Sequence, residues 1–481
     1  MNTIRNTDSA PLAPKKPLSV GFYALSEMML SARPEALSVA FTGDERVSWP
    51  QFTADVAAWS EWLCGQKARR WALCFDDSYH FAVGFMAAAH AGKHLILPGN
   101  TQPAALAELI DQFDGLLHDR PDLAEIAHAY SLPENQPVSV TGLPFTALSA
   151  EQVSLTLFTS GSSGKPKAVG KSLSGLEAEI AALEHLWGAD LAETQVVSTV
   201  SHQHIYGLLF RVLWPLCAGR PFSRQALDYP EQVMAHAKTS IVLITSPALL
   251  KRLGDNAVPA DETYCAIFSS GGPLPLAAAR QSQALLGSLP YEVFGSTETG
   301  GIGYRQQQDA QTCWQLFYPI EMSVNDQHCL QIRSPFINAK QWYQTDDLGE
   351  LCGERQFVLK GRADRVVKIE EKRIALAEVE RRLSQLIWVE EAAVLPLQQG
   401  ERLALGAVLT LTTEGRQLQG QVGQGQFWVQ LRRALRGWLE PVGIPRRFRV
   451  VEEMPVNRQG KRQVGALQRL FEVSVADHEQ G

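Results

Sequence analysis

The chain has 481 residues, 45% hydrophobic and 20% charged, an ordinary composition for a globular enzyme with room for two or three domains. Its formal charge of −7 argues against general nucleic-acid affinity, and its seven cysteines, odd in number and without a CxxC pair, predict free thiols in a reducing compartment, not a zinc site or a disulfide framework. No stretch approaches the ~18 uninterrupted apolar residues of a membrane span, and residues 1–17 lack the apolar core of a signal peptide, so a cytoplasmic protein is expected.

In chain order, the run after Ser48 leads into an apolar-periodic helix over 56–63. Residues 72–75 read as a short buried strand, 81–91 as an alanine-rich helix stopped by Gly92, 95–97 as a strand and 103–113 as a helix. Strands alternating with helices predict a parallel sheet covered on both faces. Residues 153–158 alternate as a strand and empty into Thr159-Ser160-Gly161-Ser162-Ser163-Gly164-Lys165-Pro166-Lys167. Small residues there let backbone N–H groups approach an anion, hydroxyls add donors and lysines add compact positive charge, so the stretch suits a polyphosphate. Gly170-Lys171-Ser172 looks like the end of a Walker loop, but Lys165 stands where that motif needs its first glycine. No helix is expected before Ser172, which suits the N-cap of a helix over 173–187.

The same rhythm continues with strands over 196–200, 241–244, 266–268 and 291–294, and helices over 208–216, 247–253 and 275–286. The third of these strands runs into Ser269-Ser270-Gly271-Gly272 and the fourth into Gly295-Ser296-Thr297-Glu298, two polar strand ends suited to one cleft. After about Gly303 the texture changes to short alternating segments, 329–333 and 356–359, which predict a small antiparallel region. Beyond 361–365 lies an α+β segment, with helices over 377–386 and 426–439 and strands over 391–397, 403–411 and 447–451. The Gln- and Gly-rich stretch 415–425 between them reads as a flexible loop.

Taken together and in this order, these stretches resemble the adenylate-forming (AMP-binding) ligases, a superfamily of acyl- and aryl-CoA synthetases, acyl-carrier ligases and adenylation domains. The resemblance covers residues 48–465. It implies a large N-terminal α/β domain of doubly wound subdomains plus a small β region, 1–361, followed by a mobile α+β domain, 362–481. It implies ATP and Mg²⁺, with the loop residues Thr159, Ser160, Gly161, Ser162, Ser163, Gly164, Lys165 and Lys167 around the β- and γ-phosphates. Phe294 would stack on adenine beside Gly271 and Gly295, though tyrosine is commoner at its position. Thr297 would contact the α-phosphate, and Glu298 would hold Mg²⁺ with Thr159. In Tyr343-Gln344-Thr345-Asp346-Asp347-Leu348, Asp347 would accept from the ribose hydroxyls, with Arg362 beside it, while Asp346 replaces the usual glycine. Asp364 aligns with the hinge of the small domain. Lys461, in Pro455-Val456-Asn457-Arg458-Gln459-Gly460-Lys461, would bridge the substrate carboxylate and the α-phosphate, making it catalytic together with Thr297 and Glu298.

For the acid, the resemblance points to His204, Tyr206, Ser270 and Gly272 as pocket residues. No aspartate lies between Val196 and Leu208, where amino-acid-activating members carry one, so an aryl or medium-chain fatty acid is expected. His202 and His204 form a His-x-His pair, a weak metal signal without a third ligand nearby. Glu371 replaces a usual glycine beside the pantetheine tunnel. Arg432, Arg433, Arg436, Arg446, Arg447 and Arg449 concentrate positive charge that suits CoA phosphates or an acidic acyl carrier protein, the latter preferred as thiol donor. The alternative reading is a catalytically impaired nucleotide-binding regulator on the same scaffold, with Asp346 and Glu371 as its signs of decay.

Overall fold

The computed structural model describes residues 3–4, 18, 21–131, 145–160, 166–254, 257–369, 372–399, 402–436, 438–439, 441–457 and 462–472. The chain divides into two compact units, one of Arg5–Glu321 with Arg333–Tyr343, the other of Met322–Ile332 and Gln344–Gly481 with Met1–Ile4. Among the described residues no helix is long and apolar enough to cross a membrane.

In the first unit the Ser48 hydroxyl accepts from Gln51 N and caps helix α1 (Trp49–Cys64), which buries Phe52, Val56 and Leu63. Strands β1 (Arg70–Cys74), β2 (His94–Leu97), β3 (Gly115–His118) and β4 (Ser154–Ser160) form a parallel sheet in the order β3-β1-β2-β4. Their apolar runs are buried, as strands covered on both faces require. Strand β5 (Pro166–Ser172) closes this sheet antiparallel to β4, in the register Thr159↔Lys167 and Ser160↔Pro166. The stretch after the phosphate-type loop is therefore a returning strand, in keeping with the expectation of no helix before Ser172. Ser172 then caps helix α2 (Leu173–Trp187) as expected, its hydroxyl accepting from Gly175 N at 3.1 Å.

A second parallel array in this unit runs β6 (Gln195–Ser198), β7 (Ile241–Thr245), β8 (Ala266–Ser269) and β9 (Tyr291–Ser296), with β10 (Gly300–Gln306) turning back antiparallel on β9. The expected helix over 208–216 contains a π-helical segment, Leu208–Leu213, that runs on into Trp214–Ala218 and stops at left-handed Gly219. Phe210 and Trp214 are core residues, each 2% exposed.

In the second unit the strand Asn338–Gly353 contributes its residues from Gln344 onward, paired antiparallel with β11 (Gln356–Arg362) so that Asp347 faces Arg362. Helix α3 (Leu376–Ser384) packs on β12 (Val389–Gln399), which pairs antiparallel with β13 (Arg402–Leu411), and β14 (Arg447–Val450) joins β13 in parallel. The expected loop over 415–425 is instead helical: α4 (Thr413–Val422) and α5 (Gln424–Leu435) meet at Gly423. Thr412 caps the first by accepting from Gly415 N at 3.1 Å. A Cβ at Gly415 would lie 2.1 Å from Trp388 O, so this glycine serves close packing, while Leu418 and Val422 join the core. Composition alone hides both facts.

The cysteine expectation needs correction. Cys64, Cys74, Cys217, Cys265 and Cys329 are free thiols, but Cys313 and Cys352 are disulfide-bonded. An odd total requires only one unpaired thiol and leaves any even subset able to pair.

Helix α2 carries a buried charge that the fold satisfies completely. Glu184 and Arg220, 1% and 3% exposed, pair at 3.0 Å. The Trp214 indole N–H donates to the same carboxylate at 2.6 Å, and Arg220 also donates to Leu191 O and Gly188 O. Arg220→Met strands that carboxylate and should cost about 3–5 kcal/mol in urea unfolding, with Arg220→Met/Glu184→Gln recovering part of the loss. Equal stability of the single variant and the wild type would refute this.

Candidate active site

In the first unit the phosphate-type loop joins the paired ends of β4 and β5. Residues 161–165, and with them Gly161, Ser162, Ser163, Gly164 and Lys165, lie outside the described residues, as does the side chain of Ser160. Thr159 and Lys167 are described and face each other in the register. The Lys167 ammonium donates to Glu298 Oε1 at 2.7 Å, joining this hairpin to the turn between β9 and β10. Four residues along the same strand, Lys171 is buried and donates to the backbone carbonyl of Glu298 at 2.9 Å.

The turn itself is tightly made. Ser296 N and the Thr299 N–H each donate to the other residue's hydroxyl, and the hydroxyls lie 3.0 Å apart. A bulge at Phe294/Gly295 carries β9 into it. Glu179, buried on α2, accepts from Gly301 N at 2.6 Å. Burial pushes the Glu179 carboxyl up to about 6, against the pull of Lys171 and the Gly301 N–H. Burial likewise lowers the Lys171 ammonium, opposed by Glu179 and then Glu298. For Glu298, burial acts upward, but the Lys167 hydrogen bond and charge, its own backbone N–H and the Ser296 hydroxyl together hold the carboxyl below its ordinary range.

Around this centre, the Phe294 ring is half-buried, 5.6 Å from the Trp314 ring, over which the Arg305 guanidinium lies at 4.5 Å. Ser270 donates to Val293 O at 2.8 Å, and Gly271 has φ +96°, a left-handed conformation that suits glycine. His204 approaches β4: a Cβ at Gly99 would lie 2.2 Å from Phe158 O and 3.4 Å from His204 Cε1. The missing side chain of Gly99 lets this histidine and the β4 end converge. The Tyr206 hydroxyl is enclosed near the Thr245 backbone, and burial pushes its pKa well up; its ring lies 4.9 Å from Phe210. Gly272 is exposed on the strand-end loop. His202 is no metal ligand here: Nε2 donates to Phe75 O at 2.9 Å, Nδ1 meets Ser78 Oγ at 3.1 Å, and burial lowers its pKa to about 3.

In the second unit Arg362 reaches both aspartates, Asp347 Oδ1 at 3.5 Å and Asp346 Oδ2 at 3.4 Å. Asp347 is the more enclosed, with its N–H bonded to Thr345 Oγ1. The Asp364 side chain, Glu371 and Lys461 lie outside the described residues. Their neighbours are well anchored. Arg365 pairs with Glu380, which also receives Arg462 at 3.0 Å and Val394 N at 2.7 Å, and Arg462 reaches Glu391 at 3.1 Å. Val456 and Arg462 form an antiparallel bridge, so the two sides of the Lys461 stretch are held together. Of the arginine concentration, Arg447 and Arg449 donate to the Phe471 and Leu470 carbonyls, whereas Arg432, Arg436 and Arg446 line a cavity of about 380 Å³.

Glu298, part-exposed beside the phosphate-type hairpin, fits Mg²⁺, a hard cation usually held by one or two carboxylates plus substrate phosphates. The signals that sequence reading missed are Lys171, set aside with the false Walker ending, and Glu179, a carboxylate on the apolar face of α2.

A model of the AMP-binding enzyme family matches residues 93–361. The 4-coumarate–CoA ligase of Cereibacter sphaeroides is 26% identical over 309 residues, 64% of this chain and 69% of that protein. The 3,4-dihydroxybenzoate–[aryl-carrier protein] ligase of Bacillus anthracis is 23% identical over 429 residues, 87% of this chain and 95% of that protein. In fold, ATP-bound MatB from Rhodopseudomonas palustris superposes with a TM-score of 0.79 at 18% identity, covering 93% of this chain and 99% of that one.

Lys167→Met should raise the Glu298 pKa, because burial, already the largest single influence, loses the strongest of the effects that together outweigh it. A carboxyl held low contributes stability above its unfolded pKa of about 4.3 and loses it as pH falls through the folded value. Since Lys167 is 58% exposed, the wild type should exceed the variant by under about 1 kcal/mol at pH 7, and the gap should close as pH falls through the folded value. A carbon-detected NMR titration of Glu298 and urea midpoints at neutral and acid pH check it; an unmoved pKa contradicts the pairing.

Proposed function

The chain belongs to the AMP-binding enzyme family, and from that premise we propose that it activates a carboxylic acid with ATP and passes the acyl group to a pantetheine thiol. The observation that carries this reading is the Lys167–Glu298 contact, which joins the polyphosphate-type hairpin to the magnesium-type carboxylate. In this reading the hairpin residues 159–167 take the β- and γ-phosphates. Lys167 leaves Glu298 for a phosphate oxygen, uncovering the carboxylate for Mg²⁺. Mg²⁺ held there by Glu298 would supply neutralising charge for the departing pyrophosphate. Thr297 contacts the α-phosphate, Phe294 stacks on adenine, and Asp347 and Arg362 take the ribose hydroxyls. A carboxylate oxygen of the acid attacks the α-phosphorus, the bond to the β-phosphate oxygen breaks, and acyl-adenylate and pyrophosphate result. Lys461 stabilises the charge that develops at this step. A thiolate then attacks the acyl carbon and AMP leaves with the bonding pair. The division into an ATP- and acid-binding domain, 1–361, and a domain turning at Asp364, 362–481, belongs to the same proposal.

For the acid, we read an aryl acid in preference to a medium-chain fatty acid, a reading supported by relatives named for coumarate and dihydroxybenzoate, though others are named for long-chain fatty acids. The Tyr206 ring beside Phe210 supports an aromatic wall for such a pocket. For the acceptor, the cavity lined by Arg432, Arg436 and Arg446 supports a phosphate-bearing thiol donor. We favour an acyl carrier protein over CoA, because the relative matched along 95% of its length is a carrier-protein ligase. The regulator reading is not favoured, since the chain keeps the family's ordered motifs.

ATP–pyrophosphate exchange across an acid panel tests the first half-reaction, and exchange is expected with a benzoate- or cinnamate-type acid. Lys461→Ala should lower it by about 10²–10³-fold; retained exchange removes that residue from the chemistry. Arg432→Ala/Arg436→Ala should raise the KM for holo-carrier protein about tenfold or more while exchange stays at the wild-type rate. An unchanged KM for both carrier protein and CoA would take the cavity out of the reaction.

A further inference from the structure

Lys171 and Glu179 are buried, ionisable and unused by the scheme above. Lys171 stands four residues after Lys167 on β5, so both side chains leave the strand on the same face. The two lysines reach one residue at two atoms, Lys167 the Glu298 carboxylate and Lys171 its main-chain carbonyl. Glu179 takes hold of the other end of the same turn. Its Oε1 accepts from Gly301 N at 2.6 Å, and a Cβ at Gly300, where φ is +68°, would lie 2.4 Å from its Oε2. The carboxylate therefore sits directly against the Gly300–Gly301 backbone. One cation on a carbonyl and one anion on an N–H bracket residues 298–301 from the buried side.

Such placement is costly, because taking a lysine and a glutamate out of water exceeds what their attraction returns unless the remaining bonds are well made. Apolar residues fill this kind of position more stably. What the charged pair adds is direction: a carbonyl pulled one way and an N–H held the other leave the turn a single orientation.

We propose that Lys171 and Glu179 are positioning residues that set the orientation of Thr297 and Glu298, and thereby the affinity for Mg·ATP, without touching the nucleotide. The proposal rests on the reading of Glu298 as the magnesium-side carboxylate. It concerns the backbone of the turn, whereas Lys167 acts on the carboxylate itself.

The test uses the full chain. Lys171→Met and Glu179→Leu each remove one hold, while Glu179→Gln keeps an acceptor oxygen for Gly301 N. Mg·ATP binding is read by calorimetry without acid, the Mg²⁺ dependence by pyrophosphate exchange, and the Gly301 amide by hydrogen exchange. Lys171→Met and Glu179→Leu should weaken Mg·ATP binding and raise half-saturating Mg²⁺ by about tenfold or more, the weight of one hydrogen bond to a charged group. Their Gly301 amide should exchange faster by a similar factor, the KM for the acid should stay unchanged, and Glu179→Gln should lie close to the wild type. If Lys171→Met does not fold, Lys171→Met/Glu179→Leu, which removes both charges, is read in the same way. Wild-type Mg·ATP affinity and Mg²⁺ dependence in the folded variants, with only the active fraction reduced, would overturn the proposal. Absence of exchange in the wild type would instead defeat the ligase reading, and the calorimetric and hydrogen-exchange arms would still decide the positioning role.

Discussion

The site depends on how sharply the chain turns between β9 and β10. A Cβ at Gly295 would fall 2.2 Å from Gly300 O, and one at Gly300 would strike the Glu179 carboxylate. Only glycine allows the strands to close this tightly, and the closure brings Glu298 within reach of two lysines on β5. A wider turn would carry the carboxylate away from the hairpin. The polyphosphate-type loop and the magnesium-type carboxylate would then be separate features of one sheet protein.

Buried charge also holds that closure. Glu179 and Glu184 lie five residues apart on α2, both buried, yet they are handled differently. Glu184 meets Arg220 and the Trp214 indole in a fully bonded cluster, and its work is structural. Glu179 instead accepts a backbone N–H of the candidate site, Lys171 acts on it through its charge, and burial pushes its carboxyl up. The contrast separates a charge that holds two elements together from one that aims a loop.

In the second unit the same economy of side chains appears around the expected hinge. Arg362 bridges Asp346 and Asp347, so the aspartate that replaces a glycine has a cation beside it. Arg365, Glu380, Arg462 and Glu391 tie the residue after Asp364 to helix α3, to strand β12 and to the residue after Lys461. The hinge segment and the flank of the lysine stretch thus share one carboxylate within a single unit.

Much of the fold is legible in the chain. Apolar runs of strand length, alternating with helical periodicity, identify the parallel sheets, because a strand buried on both faces can hold few polar residues. Serine before a periodic run marks the start of α2, because a hydroxyl satisfies an open N–H there, whereas α1 begins at Trp49, ahead of the periodic run over 56–63. The ordered motifs name the family. The sequence did not disclose the strand Pro166–Ser172, whose lysines and glycine conceal its alternation, or the helices over 413–435, where glycine composition masks a packing role. Nor did it disclose the bonded state of Cys313 and Cys352, since parity constrains only one thiol. Above all, the work of Lys171 and Glu179 belongs to the tertiary structure. Local sequence specifies which groups a residue carries, but the partner of a buried charge is set by chain segments over a hundred residues away, as Lys171 and Glu298 are.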